Sequence, residues 1–209
     1  MAYSEEQLKE LRGKVSAHLS EKRFLHTLGV ERAAAFLAKR IIPEKESEIR
    51  AAALLHDITK ELTVQQHVEI IKAHLQFVTE SDMLAPAVYH SLTAPYVITR
   101  DFPDFSDKDI LSAVLNHTIG APDMSVFDEI IFISDFIEDT RKYDACKRMR
   151  LELISALVPG DFSANALAVH KSCIAAIEFT EKFLRDKGRP INERMINAKN
   201  ALKAKILQR

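Results

Sequence analysis

Residues 51–60 read AAALLHDITK, an apolar run that ends in the adjacent pair His56 and Asp57. Core packing alone does not require such a pair. Successive residues of a helix point in different directions, so these two side chains can converge on one point only near a helix end. Imidazole and carboxylate together suit a first-row divalent ion such as iron, manganese or zinc. For an isolated pair, capping of the helix end is the commoner explanation.

The composition is that of an ordinary globular protein. The chain has 209 residues, of which 47% are hydrophobic and 28% charged, and it contains few glycines and prolines. The hydrophobic periodicity is helical almost throughout, which predicts an all-α fold in one domain. The formal charge of -1 provides no field that would attract nucleic acid or an anionic membrane, so we expect neither as a partner.

The cysteine pattern and the lack of targeting features suggest a location. Cys146 and Cys173 have no CxxC spacing, and the sequence shows no secretory signal or long apolar span. Both cysteines are therefore interpreted as reduced, buried packing residues of a cytoplasmic protein.

Capping residues and periodicity predict the helices of the N-terminal half. Ser4 begins a helix to about residue 18, and Ser20 begins a longer one to about residue 41, with His26 and Gly29 on its inner face. A helix opened by Pro43 ends at the HDITK stretch, and another runs from residue 63 to about 75. Four histidines lack an acidic partner at ligand spacing and are interpreted as surface or capping residues: His18, His67, His74 and His170.

The second half supplies further inward polar residues. His90 lies between Pro86 and Pro95, which both resist a helix interior, so it is expected at a helix start or a kinked turn. Ser106 is expected to cap a helix that carries His117 and is closed by a glycine at 120. Ser125 with Asp128 opens the most apolar helix, in which Asp135 would be buried near Glu138. Helices at about 145–157, 163–187 and 192–207 complete the chain.

Together the inward polar residues form one ordered set. They are more than one metal ion needs and suit a pair of ions bridged by Asp57 and a hydroxide. The members are His26, His56, Asp57, His90, His117 and Asp135.

The sequence resembles the HD-domain phosphohydrolases, whose signature is a histidine, an HD pair and a distant aspartate, here His26, His56 with Asp57, and Asp135. Within that superfamily it is similar to the YqeK branch, the symmetrical diadenosine tetraphosphate hydrolases. The resemblance covers most of residues 23–144, through RFLHTLGVERAAAFLA, AAALLHDITKEL and LNHTIGAPDMSVFDEIIFISDFIEDTRKYD. Family members often differ at three positions, where this chain has Thr59, Ser91 and Ile119.

The resemblance implies a single HD-domain helical bundle with additional C-terminal helices. Residues 1–19 would form an N-terminal packing helix, 20–144 the HD metal-dependent phosphohydrolase core, and 145–209 helices that complete the same domain. The core metal ligands would be His26, His56, Asp57 and Asp135. His90 and His117 would complete a second ion or hold phosphate. The residues implied to face the nucleotide's phosphates are Lys60, Thr118 and Arg141.

These residues support a definite chemistry. Divalent ions sharing Asp57 would generate a hydroxide that attacks phosphorus in line. Lys60 and Arg141 would act as fixed cations, with His90 or His117 as a donor to the phosphoryl oxygens. The cofactor is expected to be a divalent metal, one or two ions, with iron favoured and manganese or another first-row metal as alternatives.

The predicted reaction is the symmetrical hydrolysis of a dinucleoside polyphosphate, diadenosine tetraphosphate, to two ADP. The alternatives are another HD-type nucleotide phosphohydrolase or phosphodiesterase, a non-enzymatic nucleotide sensor, and a purely structural bundle whose polar groups are satisfied in the core. A homodimer is compatible with the sequence.

Overall fold

The computed structural model describes residues 2–207, and every regular element in that range is helical. The predicted all-α fold is confirmed. Short 3-10 turns at Pro43–Lys45, Pro86–Val88 and Pro103–Phe105 precede three of the helices. The helices are α1 (Glu5–Ser16), α2 (Glu21–Ile41), α3 (Glu46–Leu55), α4 (Val64–His74), α5 (Glu80–Met83), α6 (Tyr89–Asp101), α7 (Lys108–Asn116), α8 (Val126–Ile137), α9 (Asp144–Ala156), α10 (Phe162–Asp186) and α11 (Glu193–Leu207).

Most helix starts lie where the capping residues predicted them. Ser4, Thr63 and Ser125 form reciprocal capping boxes, and the Ser20 hydroxyl accepts a hydrogen bond from the backbone N–H of Arg23. The prediction of Ser106 as a cap is wrong by one residue, because the carboxylate of the next residue, 107, accepts the amide of residue 109.

The expectation that Pro95 would resist a helix interior is also wrong, because it lies inside α6. Pro95 removes one helical hydrogen bond, a loss of about 3 kcal/mol in an isolated helix. Its neighbours Leu92, Ala94 and Ile98 are fully buried, and burial of one large apolar side chain contributes about 1.5–3 kcal/mol. Tertiary packing therefore outweighs the local penalty, and His90 occupies the second position of this helix.

The central helices bring distant parts of the sequence together. Helix α2 packs against α3 and α8, and α7 packs against α3, α6 and α8. Leu37, Leu54, Ile110 and Ile131, one from each of α2, α3, α7 and α8, are fully buried. These four helices also carry or precede most of the predicted ligands, so packing of their apolar faces positions the polar ones.

Two histidines interpreted as surface residues lie in the core. His67 is buried, with Nδ1 2.9 Å from the Thr93 hydroxyl. His170 is also buried, and its two ring nitrogens contact the Glu129 carboxylate at 2.9 Å and the carbonyl of Leu202 at 2.7 Å. Their partners lie 26 to 41 residues away along the chain, so spacing within one helix could not reveal them. His18 and His74 are exposed.

The two cysteines and one face of the last helix are buried. Cys146 and Cys173 are buried and free, as predicted. In α11, Met195, Ala198 and Leu202 are buried, so this helix packs against the body of the protein. Across residues 2–207, none of the helices combines the length and the apolar character needed to cross a membrane. The division of the domain at residues 19 and 144 stays a prediction.

A buried carboxylate joins the first three helices. Glu31 of α2 is 5% exposed and accepts hydrogen bonds from Arg12 of α1 at 2.8 Å and from Arg50 of α3 at 3.0 Å. Glu31→Ala would leave both guanidinium groups without this partner, and we expect the free energy of unfolding to fall by about 2 kcal/mol. Urea denaturation measures this change. The control Glu44→Ala alters an exposed carboxylate, and equal stabilities of the two variants would contradict the prediction.

Candidate metal centre

The His-Asp pair lies at the end of α3, as its sequence context predicted. His56 is the C-cap residue, and after it the chain leaves the α-helix in tight turns, with the amide of Lys60 bonded to the carbonyl of Asp57 at 2.8 Å. His56 is fully buried and Asp57 is 2% exposed. The change in backbone direction lets both side chains point into the same interior space.

Asp57 is the centre of this space, and its two carboxylate oxygens face different groups. Three nitrogens approach Oδ2: Arg23 Nη1 at 2.9 Å, His56 Nε2 at 3.4 Å and His26 Nε2 at 3.7 Å. Three others approach Oδ1: His90 Nε2 at 3.4 Å, His117 Nε2 at 3.6 Å and Lys60 Nζ at 3.7 Å. A carboxylate with a separate set of neighbours on each oxygen is suited to bridge two ions.

The imidazoles of His56 and His117 are oriented with their Nε2 atoms toward Asp57. His56 Nδ1 lies 2.6 Å from the carbonyl of Ala53, and His117 Nδ1 lies 2.7 Å from that of Val114. A carbonyl only accepts, so each Nδ1 carries the proton and each Nε2 offers a lone pair. A histidine that ligates a metal commonly makes this kind of contact through its other nitrogen.

Two buried nitrogens have no hydrogen-bond partner within residues 2–207. They are Nε2 of His26 and Nε2 of His56. Asp135 Oδ1 lies 3.0 Å from His26 Nε2, but the direction of approach does not make a hydrogen bond. Unpartnered buried polar atoms are costly, and a divalent ion would satisfy both. The donor set present therefore fits a divalent metal.

Across residues 2–207, the structure contains two groups of three potential ligands each. Within each group the ligating atoms lie within 4.8 Å of one another, and both groups include His56. The first group adds His26 and Asp135, and the second adds Asp57 and His117. The structure thus brings the predicted core ligands into two overlapping sites. Asp135, which was expected to be buried, is partly buried, with 23% of its side chain exposed. It lies near the C-terminal end of α8.

His90 forms the opposite side of the centre. Its Nε2 lies 3.1 Å from His117 Nε2, 2.9 Å from Lys60 Nζ and 3.0 Å from the Thr118 hydroxyl. The hydroxyl of Thr59 donates to the carbonyl of His90 at 2.8 Å and fastens the turn after α3 to α6. All the predicted phosphate-facing residues except Arg141 therefore meet on this side.

The protonation of these groups follows from burial and neighbouring charges. Burial, assisted by the positive charge of Lys60, holds the pKa of His90 well below its usual range, and burial also lowers the pKa of His117. Burial opposes ionisation of Asp57, but His56, His117 and Lys60 bring its pKa well below the ordinary value. The centre thus combines neutral imidazoles at His90 and His117 with an ionised carboxylate, the forms that ligate metals.

His26 behaves differently from these two histidines. Burial favours its neutral form, but the carboxylates of Asp135 and Glu138 outweigh this effect and raise its pKa to about 9. Its Nδ1 lies 3.1 Å from Glu138 Oε1. Glu138 therefore acts as the orienting carboxylate behind His26.

Some contributors are not among the site residues predicted from sequence. Arg23 binds Asp57, and it precedes His26 by three residues on the same helix. That spacing was a usable signal, because residues three apart on a helix share a face.

Arg141 was predicted, and its guanidinium Nε donates to the Asp135 carbonyl at 2.9 Å while Nη2 binds the Asp135 carboxylate.

Comparison with known protein families gives this arrangement a context. The HD-domain family matches residues 23–139, which contain every candidate ligand. The chain belongs to the HD-domain family. The resemblance seen in the sequence is therefore confirmed, and an HD domain implies a divalent metal.

Sequence similarity to individual relatives extends over most of the chain. Proteins named symmetrical bis(5'-nucleosyl)-tetraphosphatase are 29% identical over 178 residues in Bacillus subtilis and 28% identical over 179 residues in Halalkalibacterium halodurans. Each match covers 85% of this chain and 87% of the relative. A crystal structure of a Clostridium acetobutylicum HD superfamily hydrolase, described as involved in NAD metabolism, superposes with a TM-score of 0.80 at 27% identity, covering 98% of this chain and 100% of that one.

Proposed function

We propose that this chain hydrolyses dinucleoside tetraphosphates symmetrically and releases two molecules of ADP. As a member of the HD-domain family it is a metal-dependent phosphohydrolase. The observation that carries the proposal is Asp57, with histidines on both of its oxygens and an unpartnered Nε2 on both His26 and His56. The similarity to two tetraphosphatases over 85% of the chain supports the choice of substrate.

The proposed metal ligands are those predicted from the sequence. His26, His56, Asp57 and Asp135 would hold one ion, and Asp57 with His90 and His117 would hold a second ion or contact phosphate. When bound, the metal supplies Lewis acidity toward a phosphoryl oxygen and makes water a better nucleophile. Iron is the proposed metal, with manganese or another first-row metal as the alternative, because imidazole with carboxylate suits these divalent ions.

The side chains around the metal ligands would bind and orient the polyphosphate. Lys60 lies beside Oδ1 of Asp57, whereas Arg23 lies beside Oδ2. Cations on both sides of Asp57 suit a substrate whose phosphates extend in both directions from the bond that breaks. Thr118 and Arg141 would donate further hydrogen bonds to phosphoryl oxygens as negative charge develops there.

Product analysis tests the proposed reaction. We expect incubation with diadenosine tetraphosphate to yield ADP as the sole nucleotide product, and chelation with EDTA to lower the rate by about two orders of magnitude or more. Added manganese or ferrous iron should restore activity. Chromatography measures the products.

Several outcomes would contradict this function. Formation of ATP with AMP would exclude symmetrical cleavage. Binding of the nucleotide without turnover would indicate a sensor, and a rate insensitive to EDTA would exclude the metal. A cytoplasmic location, a homodimer, and the lack of nucleic-acid and membrane partners stay predictions from the sequence.

A further inference from the structure

A cleft opens beside the metal centre, on the side of Asp57 that faces Arg23. Its volume is about 570 Å³, within the usual range for small-molecule sites. We propose that this cleft binds one nucleoside diphosphate half of the substrate, with Lys22 and Lys142 on its phosphates and Tyr143 against its base. The proposal rests on the proposed function and adds to it the residues that recognise an outer half of the substrate. The cleft is lined in part by Lys22, Arg23, His26, Arg141, Lys142 and Tyr143.

The walls of the cleft are strongly basic. Lys22 and Arg23 come from the first turn of α2, and Arg141 and Lys142 come from the segment between α8 and α9. The acidic residue of the lining, Glu61, uses its carboxylate to accept hydrogen bonds from the amide and hydroxyl at residue 20. Because Arg23 and Arg141 are paired with the carboxylates of Asp57 and Asp135, the two lysines against Glu61 leave a net positive charge, which favours an anionic ligand.

The two lysines are available to such a ligand. Lys22 and Lys142 are exposed, and neither forms an ion pair with another residue in the part of the chain that the structure describes. The arginines, in contrast, already bind Asp57 and Asp135. The arginines therefore form the inner part of the basic wall, next to the metal ligands, and the lysines are free to bind phosphate.

The cleft is continuous with the centre through His26. This residue lines the cleft, is 7% exposed and has an unpartnered Nε2. Helix α2, of 21 residues, also begins at the cleft, and the positive end of its dipole favours phosphate. A phosphate chain that reaches the metal ligands from this side must pass the basic residues.

Tyr143 is suited to bind the base. It is 73% exposed, it immediately precedes α9, and its ring contacts no other aromatic ring among residues 2–207. An exposed aromatic ring beside a phosphate-binding wall offers a surface on which any nucleobase can stack. This arrangement predicts recognition of a nucleoside diphosphate rather than of inorganic phosphate alone.

Equilibrium binding of ADP tests the cleft without requiring turnover. For the double variant Lys22→Ala/Lys142→Ala, we expect the Kd of ADP to rise about tenfold or more by isothermal titration calorimetry, because two charge-assisted hydrogen bonds are lost. The KM for diadenosine tetraphosphate should rise in parallel while kcat changes little. Tyr143→Ala should weaken binding several-fold, whereas Tyr143→Phe, which keeps the ring, should bind like the wild type.

The matched control is Lys72→Ala/Lys187→Ala, which removes two exposed lysines that do not line the cleft. Its Kd and KM should equal those of the wild type. Equal ADP affinity in both double variants, or no ADP binding by the wild type, would overturn the proposal that the cleft binds a nucleoside diphosphate. Symmetrical cleavage of the tetraphosphate would in that case still support the proposed function. Lysine-dependent ADP binding without tetraphosphate cleavage would instead refute the proposed function and leave the cleft as a nucleoside diphosphate site.

Discussion

Replacing Asp57 by asparagine will lower dinucleoside tetraphosphate hydrolysis by about a thousandfold or more and strip the protein of its metal. The asparagine side chain has nearly the same shape, so the space at the centre is preserved. It lacks the negative charge of the Asp57 carboxylate, whose two oxygens lie 2.9 to 3.7 Å from nitrogens of Arg23 and of four histidines. Metal analysis of the purified variant, together with steady-state rates, measures both effects.

Lys60→Ala provides the comparison. Lys60 lies 3.7 Å from Asp57 Oδ1 and contacts His90, but its ammonium group has no lone pair with which to bind a metal. We expect this variant to retain its metal and to show mainly a higher KM, because it loses a cation that faces phosphate. Circular dichroism establishes that both variants are folded. An Asp57→Asn protein that is metal-free and fully active would refute the proposed centre.

The residues of the centre were predictable because each carries a local signal. His56 and Asp57 interrupt an apolar run. His26 lies on the inner face of α2, and His117 is the C-cap residue of α7; both side chains are buried. Burial of an apolar face fixes which way such a histidine points, so helical periodicity alone places it inside. The sequence could not show which oxygen of Asp57 each histidine approaches, because that depends on how α2, α3, α6 and α7 pack.

Residues that act through tertiary contacts were harder to predict. The hydroxyl of Thr59 ties the turn after α3 to the carbonyl of His90. His170 and Glu129 form a buried pair across 41 residues of sequence. Pro95 remains helical because its neighbours are buried. In each case a distant contact outweighs or supplements the local preference that a sequence displays.

Gly29→Ala will weaken metal binding even though alanine is the better helix former. Gly29 lies inside α2, and a Cβ built there would overlap Oε2 of Glu138 and approach Asp139 Oδ1 at 3.1 Å. The same Glu138 carboxylate holds His26 through Oε1. We expect displacement of this carboxylate to lower metal affinity about 10–100-fold, the usual effect of losing an orienting partner of a ligand. Competition with a chromogenic chelator measures the affinity.

The Glu138 carboxylate has little freedom to avoid the new methyl group. Its side chain is fully buried, and it accepts hydrogen bonds from the amide of Thr140 at 2.6 Å and from the Thr140 hydroxyl at 2.7 Å. Movement would break these bonds together with the one to His26. Glu138→Gln should also lower metal affinity, because the charge that faces His26 is lost and one oxygen becomes an NH2 group, which cannot accept the hydrogen bond from the Thr140 amide.

Gly13→Ala is the matched control, since Gly13 also lies inside a helix and, among residues 2–207, no neighbouring atom lies within 4 Å of a Cβ added there. This variant should gain about 0.5–1 kcal/mol of stability from helix propensity and bind metal like the wild type. If Gly29→Ala gained the same stability and kept full metal affinity, Glu138 would not be orienting His26. Because the two substitutions are chemically identical, a difference in metal affinity must come from the surroundings of Gly29, where the Glu138 carboxylate is the nearest group to the added Cβ.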